Sequence, residues 1–219
     1  LNWINSQPTG NNVATEYLNY YPGGTNLNTF TYFMGALDYG HRFGDHTING
    51  TLIATGQQTR YSNAGDLQSS LPYRNQTLAG RATYGLKDRY FAEFNFGYNG
   101  SERFSQNHRY GFFPTIDAGW IISSEKFWSG LSSVITRAKI RGSYGLAGND
   151  AISSRRFFYL SDVNLNGGGN YASFGSNSGY SRSGVFINNY ENADVTWETA
   201  RQTNLALELT FFKKLNIIA

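Results

Sequence analysis

Short and long connections alternate along this chain without a break, and the segments between them repeat with the period of a β-strand. From His46, one face reads Ile48, Gly50, Leu52, Ala54 and the other Thr47, Asn49, Thr51, Thr55. Leu78, Gly80, Ala82, Tyr84 and Leu86 then oppose Thr77, Arg81, Thr83 and Lys87, and Tyr90, Ala92, Phe94, Phe96 and Tyr98 oppose Arg89, Glu93, Asn95 and Asn99. Further on, Ile140, Gly142, Tyr144 and Leu146 oppose Lys139, Arg141 and Ser143. Near the end, Leu205, Leu207, Leu209 and Phe211 alternate with Asn204, Ala206, Glu208 and Thr210. A period of two is the strand signal, and residues 29–43 and 112–122 fit it less regularly.

A soluble sandwich also alternates, so the connections carry the argument. Gly44-Asp45 is a two-residue hairpin turn, residues 57–75 are long and polar, Lys87-Asp88 is tight, and residues 99–111 form another loop. A compact return at 124–138, a very long loop at 148–192 and a turn at Lys213-Lys214 complete the series. Outer-membrane barrels have short periplasmic turns and longer extracellular loops; a Greek-key sandwich has no reason to keep that rhythm. Aromatics stand at strand ends on the apolar faces, Tyr90 and Tyr98 on one strand, Phe112 and Trp120 on another, where interfacial girdles belong. Arg81, Glu93, Arg141 and Glu208 fall on the polar faces, which suits a wet or plugged lumen better than a dry core.

Composition fits this reading. Charged residues make up 15%, aromatics 16%, mean hydropathy is -0.45, and no apolar run is long enough for a membrane helix. The net charge of +3 is too mild and dispersed for nucleic acid, and the absence of cysteine excludes disulfides and thiolate chemistry. The expectation is an all-β chain: seven strands and the start of an eighth at residues 215–219, one antiparallel transmembrane β-barrel segment within residues 1–219. Leu1-Asn2-Trp3-Ile4 reads as the tail of an earlier strand. An open sheet would leave backbone groups unpaired in lipid, so the chain is expected to be an internal piece of a larger barrel.

Chemical motifs are sparse. His41, His46 and His108 have no ligand spacing, Gly167-Gly-Gly-Asn170 lacks the Lys-Ser/Thr of a phosphate loop, and no nucleophile elbow is present. No metal, cofactor or enzyme activity is therefore expected. The loop at 148–192 is rich in Gly, Asn, Ser and Tyr. That mixture suits recognition, since rigid rings combine with adaptable hydrogen bonders, and it equally suits a solvated shield. Arg155, Arg156, Tyr171, Phe174, Tyr180 and Arg182 are its candidate contacts with ligand or partner.

Three blocks carry a family resemblance. They are Asn99-Gly-Ser-Glu-Arg-Phe104 with Asn107-His-Arg-Tyr-Gly-Phe-Phe-Pro114, Ala118-Gly-Trp120 and Ser124-Glu-Lys-Phe127; Lys139-Ile-Arg-Gly-Ser-Tyr-Gly-Leu-Ala-Gly-Asn149; and Asn192-Ala-Asp-Val-Thr-Trp-Glu198 with Gln202-Thr-Asn-Leu205. In order and spacing they resemble the SusC/RagA family of TonB-dependent outer-membrane transporters. Tyr98-Asn99 stands where many members carry Arg-Asp. The resemblance implies a barrel of about 22 strands around an N-terminal plug, of which this chain supplies part of the C-terminal half. Plug and TonB-contacting segment then lie outside residues 1–219. It also implies active import at the cell surface of an oligosaccharide, or alternatively a peptide, with a SusD-type surface lipoprotein and TonB as partners. The rival reading is an outer-membrane adhesin or structural barrel that binds without transporting. Within the blocks, Pro114 is expected to break or bulge its strand, Gly111 and Gly119 to allow close approach, and Trp120, Phe127 and Trp128 to anchor the periplasmic rim.

Overall fold

The computed structural model describes residues 23–219 apart from 63, 66, 154 and 155. The expected strand tail at Leu1-Asn2-Trp3-Ile4 and the candidate contact Arg155 lie outside the described residues. Among the described residues, ten strands run in chain order: β1 (Asn28–Phe43), β2 (His46–Tyr61), β3 (Tyr73–Leu86), β4 (Tyr90–Ser101), β5 (Tyr110–Ile121), β6 (Ile135–Asn149), β7 (Asp162–Phe174), β8 (Tyr180–Asn189), β9 (Glu198–Phe211) and β10 (Leu215–Ile218). Eight of them form one antiparallel sheet in the order β1-β2-β3-β4-β5-β6-β9-β10, while β7 and β8 pair only with each other. The wall is thus the up-and-down meander expected of a barrel segment, with β10 as its short eighth strand.

Register keeps like with like. Ile48, Tyr84, Ala92, Ala118, Gly142 and Leu205 form one row across six strands on the apolar face. On the polar face, Thr83, Glu93, Asp117, Ser143 and Asn204 form another. A one-residue slip would exchange the two faces, so the apolar pattern itself fixes the pairing.

The short connections need unusual backbone. Gly44 takes φ 59° at the first central position of its turn, where a glycine pays no Cβ penalty. Lys87 and Asp88 take φ 53° and 50°, and Arg89 N–H closes the turn onto the Leu86 carbonyl at 3.0 Å. The last turn is built the same way, one residue earlier than expected: Phe212 and Lys213 hold the positive φ values, and Lys214 N–H reaches the Phe211 carbonyl at 2.9 Å.

Three expectations are revised. β2 and β3 run on through Tyr61 and from Tyr73, so the connection expected at 57–75 shrinks to 62–72, with a short helix α1 (Leu67–Ser70) in it. Strands of this length exceed the ~9–11 residues needed to cross lipid, and their water-bathed ends carry no apolar alternation to betray them. The loop expected at 148–192 contains the β7–β8 hairpin, whose register shifts three times and so leaves no clean period. Pro114 does not bulge its strand: it pairs with Phe96 in unbroken register, and pairing between β5 and β6 begins beyond it at Thr115.

Candidate functional site

Side chains on both faces of the wall are largely open. Among the described residues, the buried apolar ones are Phe104, Phe113 and Ala138, and two of these lie at the rim that bears the long connections. Phe104 follows β4 and is 0% exposed; its ring lies 5.2 Å from Trp197 and 6.0 Å from Phe158. Phe113 meets Trp197 at 5.3 Å. Here glycine is a steric necessity: a Cβ on Gly111 would come within 2.5 Å of the Phe113 ring, and one on Gly148 would collide with the same ring. Gly119, by contrast, has only ordinary contacts around the Cβ position, so close approach does not explain it.

Polar bonds lock the same knot. The Ser101 hydroxyl donates to Asp150 at 2.7 Å, the Arg103 guanidinium to the Ser153 carbonyl at 2.6 Å, and the Ser105 hydroxyl to the Ala193 carbonyl at 2.8 Å. The Asn149 amide donates to Glu198 at 2.9 Å. Three blocks dispersed in the sequence therefore converge on one small aromatic core, which explains why these identities are specific. Period two specifies a face, whereas interlocking rings specify residues.

The β7–β8 hairpin rises from this knot. Its incoming root follows Phe158 and its outgoing root leads past Ala193 to Trp197. At its far end Phe174 pairs with Tyr180 and Ala172 with Arg182, which places Phe174, Tyr180 and Arg182 on one face. The Phe174 and Tyr180 rings lie 6.2 Å apart, and Arg182 Nε donates to the Tyr180 hydroxyl at 2.6 Å. Tyr171, opposite Ser183, points to the other face. All four are exposed. Arg156 is elsewhere and buried, so it is no candidate for direct ligand contact. Its guanidinium donates to the carbonyls of Gln68, Leu71 and Pro72 at 3.0, 2.7 and 2.7 Å and stacks 3.5 Å above the Tyr73 ring. The sequence placed it with the exposed arginines because nothing local marks a guanidinium whose acceptors lie more than 80 residues away.

The inward face is polar and internally paired. Arg81 meets Glu93 at 2.7 Å, Arg141 meets Glu208 at 2.9 Å, and Asn95 bridges Glu93 and Asp117. Thr51 donates to Asp38, and Asn204 to Ser143. A groove of about 810 Å³ runs along this face between β2 and β9. At the opposite rim, Tyr90 and Trp120 stack 6.2 Å apart on the outward face and both donate to Glu125, at 2.6 and 3.2 Å. The phenol foremost, then the indole, with Arg89 nearby, hold the Glu125 carboxyl below the usual carboxylate range. Phe127 is 68% exposed beside this clamp, while Trp128 donates its N–H to the Ile135 carbonyl at 3.1 Å.

Known proteins resemble this chain in sequence, and others in fold. TonB-dependent receptor P3 of Formosa agariphila is 29% identical over 215 residues, which cover 93% of this chain and 20% of that protein. TonB-dependent receptor P26 of the same organism is 32% identical over 172 residues, covering 72% of this chain and 16% of its own length. TonB-dependent receptor SusC of Bacteroides thetaiotaomicron is 31% identical over 149 residues, 66% of this chain and 14% of that one. No family model matches the chain. Among solved structures, the RagAB peptide transporter superposes with a TM-score of 0.64 at 17% identity, covering 85% of this chain and 22% of the other. The RagAB peptide importer in its closed-closed state gives 0.62 at 18%, with the same coverage. The chain thus spans a fifth or less of the curated relatives' length. Their names are those of receptors, not enzymes. These relatives show that the chain belongs to the family of TonB-dependent receptors that includes SusC, and the likeness to RagAB, with the meander and the two-faced wall, gives it the fold of a stretch of that β-barrel.

Proposed function

We propose that the intact protein imports an oligosaccharide across the bacterial outer membrane, driven through TonB and working with a SusD-type surface lipoprotein. The long-connection rim faces the cell exterior, and plug and TonB-contacting segment lie outside residues 1–219. The observation that carries the reading is the exposed Phe174–Tyr180–Arg182 face on a hairpin whose two roots are fixed in the knot. Aromatic rings offer flat apolar surface to a sugar ring, and hydroxyl, amide and guanidinium groups beside them hydrogen-bond its hydroxyls. The paired charges of the inward face leave no large field of one sign to oppose an uncharged cargo. A peptide is the alternative cargo, since RagAB, which shares the fold, is a peptide transporter. The test is uptake of labelled oligosaccharides and peptides by a strain lacking the gene and by its complemented parent. Accumulation of peptides alone would overturn the cargo assignment, and surface retention without accumulation would favour the adhesin. Orientation has its own test. A cysteine at Ser176 should react with an impermeant thiol reagent on intact cells, and one at Asp45 only after the outer membrane is opened.

A further inference from the structure

We propose that Arg156 is a positioning residue that fixes the β7–β8 hairpin against the loop between β2 and β3. The proposal rests on the reading that the hairpin tip meets cargo. Helix α1 ends at Ser70, and Leu71 and Pro72 lead from it into β3. Arg156 supplies donors to three carbonyls in this stretch, those of Gln68, Leu71 and Pro72. A planar guanidinium with five donors in a fixed fork can meet all of them at once, and its face can lie on Tyr73 at the same time.

The neighbouring backbone supports a fixed position. Phe157 takes φ 50°, a left-handed conformation that a bulky residue rarely adopts. Such an outlier persists only where its surroundings over-determine it. Here they do: Arg156 is held on one side, Phe158 lies against Phe104 on the other, and Leu160 N–H closes onto the Phe157 carbonyl at 2.8 Å. β7 begins five residues after Phe157, at Asp162, so whatever fixes this corner sets the direction in which the hairpin leaves the rim. The aromatic knot holds the loops after β4, β6 and β8; Arg156 adds the loop after β2.

The experiment uses the full-length receptor in cells, comparing Arg156→Gln and Arg156→Lys with wild type. Three quantities are read: receptor in the outer membrane, protease nicking within residues 62–72 and 150–161 on intact cells, and the concentration dependence of uptake. The probe is a pool of fluorescently labelled oligosaccharides. Arg156→Gln should reach the membrane in wild-type amount. Its nicking should rise, and its half-saturating concentration grow, about tenfold each, the equivalent of one charged hydrogen bond lost, with maximal uptake kept. Arg156→Lys, a charge without the fork, should recover only part of both. Unchanged nicking would overturn the proposal. So would a fall in receptor amount and maximal uptake together at unchanged half-saturation, which marks a merely structural arginine. If wild type accumulates none of the probe, the cargo reading fails, while the nicking comparison still decides whether Arg156 fixes the corner.

Discussion

Ile116, midway along β5, is 62% exposed on the face turned to lipid, whereas Phe104, in the loop leading into the same strand, is 0% exposed in the rim knot. The wall and the knot are neighbours in the chain, yet different solvents stabilise them. The wall's apolar side chains are buried only when lipid surrounds them, and its ladder hydrogen bonds are what lipid enforces. The knot excludes water by its own packing, as a soluble core does. Truncation to alanine should therefore cost very different amounts in the two places. In the full-length receptor refolded into detergent, Phe104→Ala should destabilise by ~3–5 kcal/mol, read from denaturant midpoints at unchanged slope. Leu205→Ala, on the lipid face, should stay within about 1 kcal/mol. Equal losses would mean that the knot is not a separate core.

Charge reverses the ranking between the two faces of the wall. Ile116→Arg puts a guanidinium near mid-membrane on the lipid side and should cost ~2–4 kcal/mol in a bilayer. Ser143→Arg, on the inward face beside Asn204, should cost well under that, because water or polar groups receive the charge. Folding into vesicles of defined thickness measures both, and a larger penalty at Ser143 would invert the assignment of faces. A smaller effect belongs to the inward pairs. Arg81 and Glu93 are bonded at 2.7 Å, but Arg81 is more than half exposed, so Arg81→Ala should cost far less than Ile116→Arg, and high salt should shrink even that.

This contrast also explains what the sequence made legible. The wall could be read residue by residue: Leu52 and Tyr84 on one face, Thr51 and Arg81 on the other, because period two needs only apolar against polar. The blocks around Phe104, Phe113 and Trp197 were legible as a resemblance, though not as a shared core, since their meeting depends on ring contacts across some 90 residues. The hairpin was not legible at all. Asn164, Gly167 and Tyr171 sit where its register shifts, so no alternation survives for a reader to count. Of the candidate contacts, Tyr171, Phe174, Tyr180 and Arg182 are exposed on the hairpin, and Arg156 is a buried tie. A lone sequence cannot separate two arginines whose difference is a set of distant carbonyls.

At the rim opposite the knot, Glu125 draws in Tyr90, Trp120 and Arg89. These donors favour the ionised carboxyl, so its titration in the folded protein lies below that in the unfolded chain. The linkage then has a definite sign. Above the ordinary carboxylate range both states are ionised and the clamp contributes in full; as pH falls through the depressed folded value, the folded state also takes up its proton and the contribution vanishes. Glu125→Gln removes the charge at every pH while keeping an acceptor. The stability gap between wild type and Glu125→Gln should thus be present at neutral pH and close in strong acid, with Trp120 emission as a local probe and thermal unfolding as the global one. Because this clamp sits at a water-exposed rim, the gap should be smaller than the loss at Phe104 and should narrow in high salt. A gap that persists unchanged into acid would mean that the rings, not the carboxylate, hold this rim together.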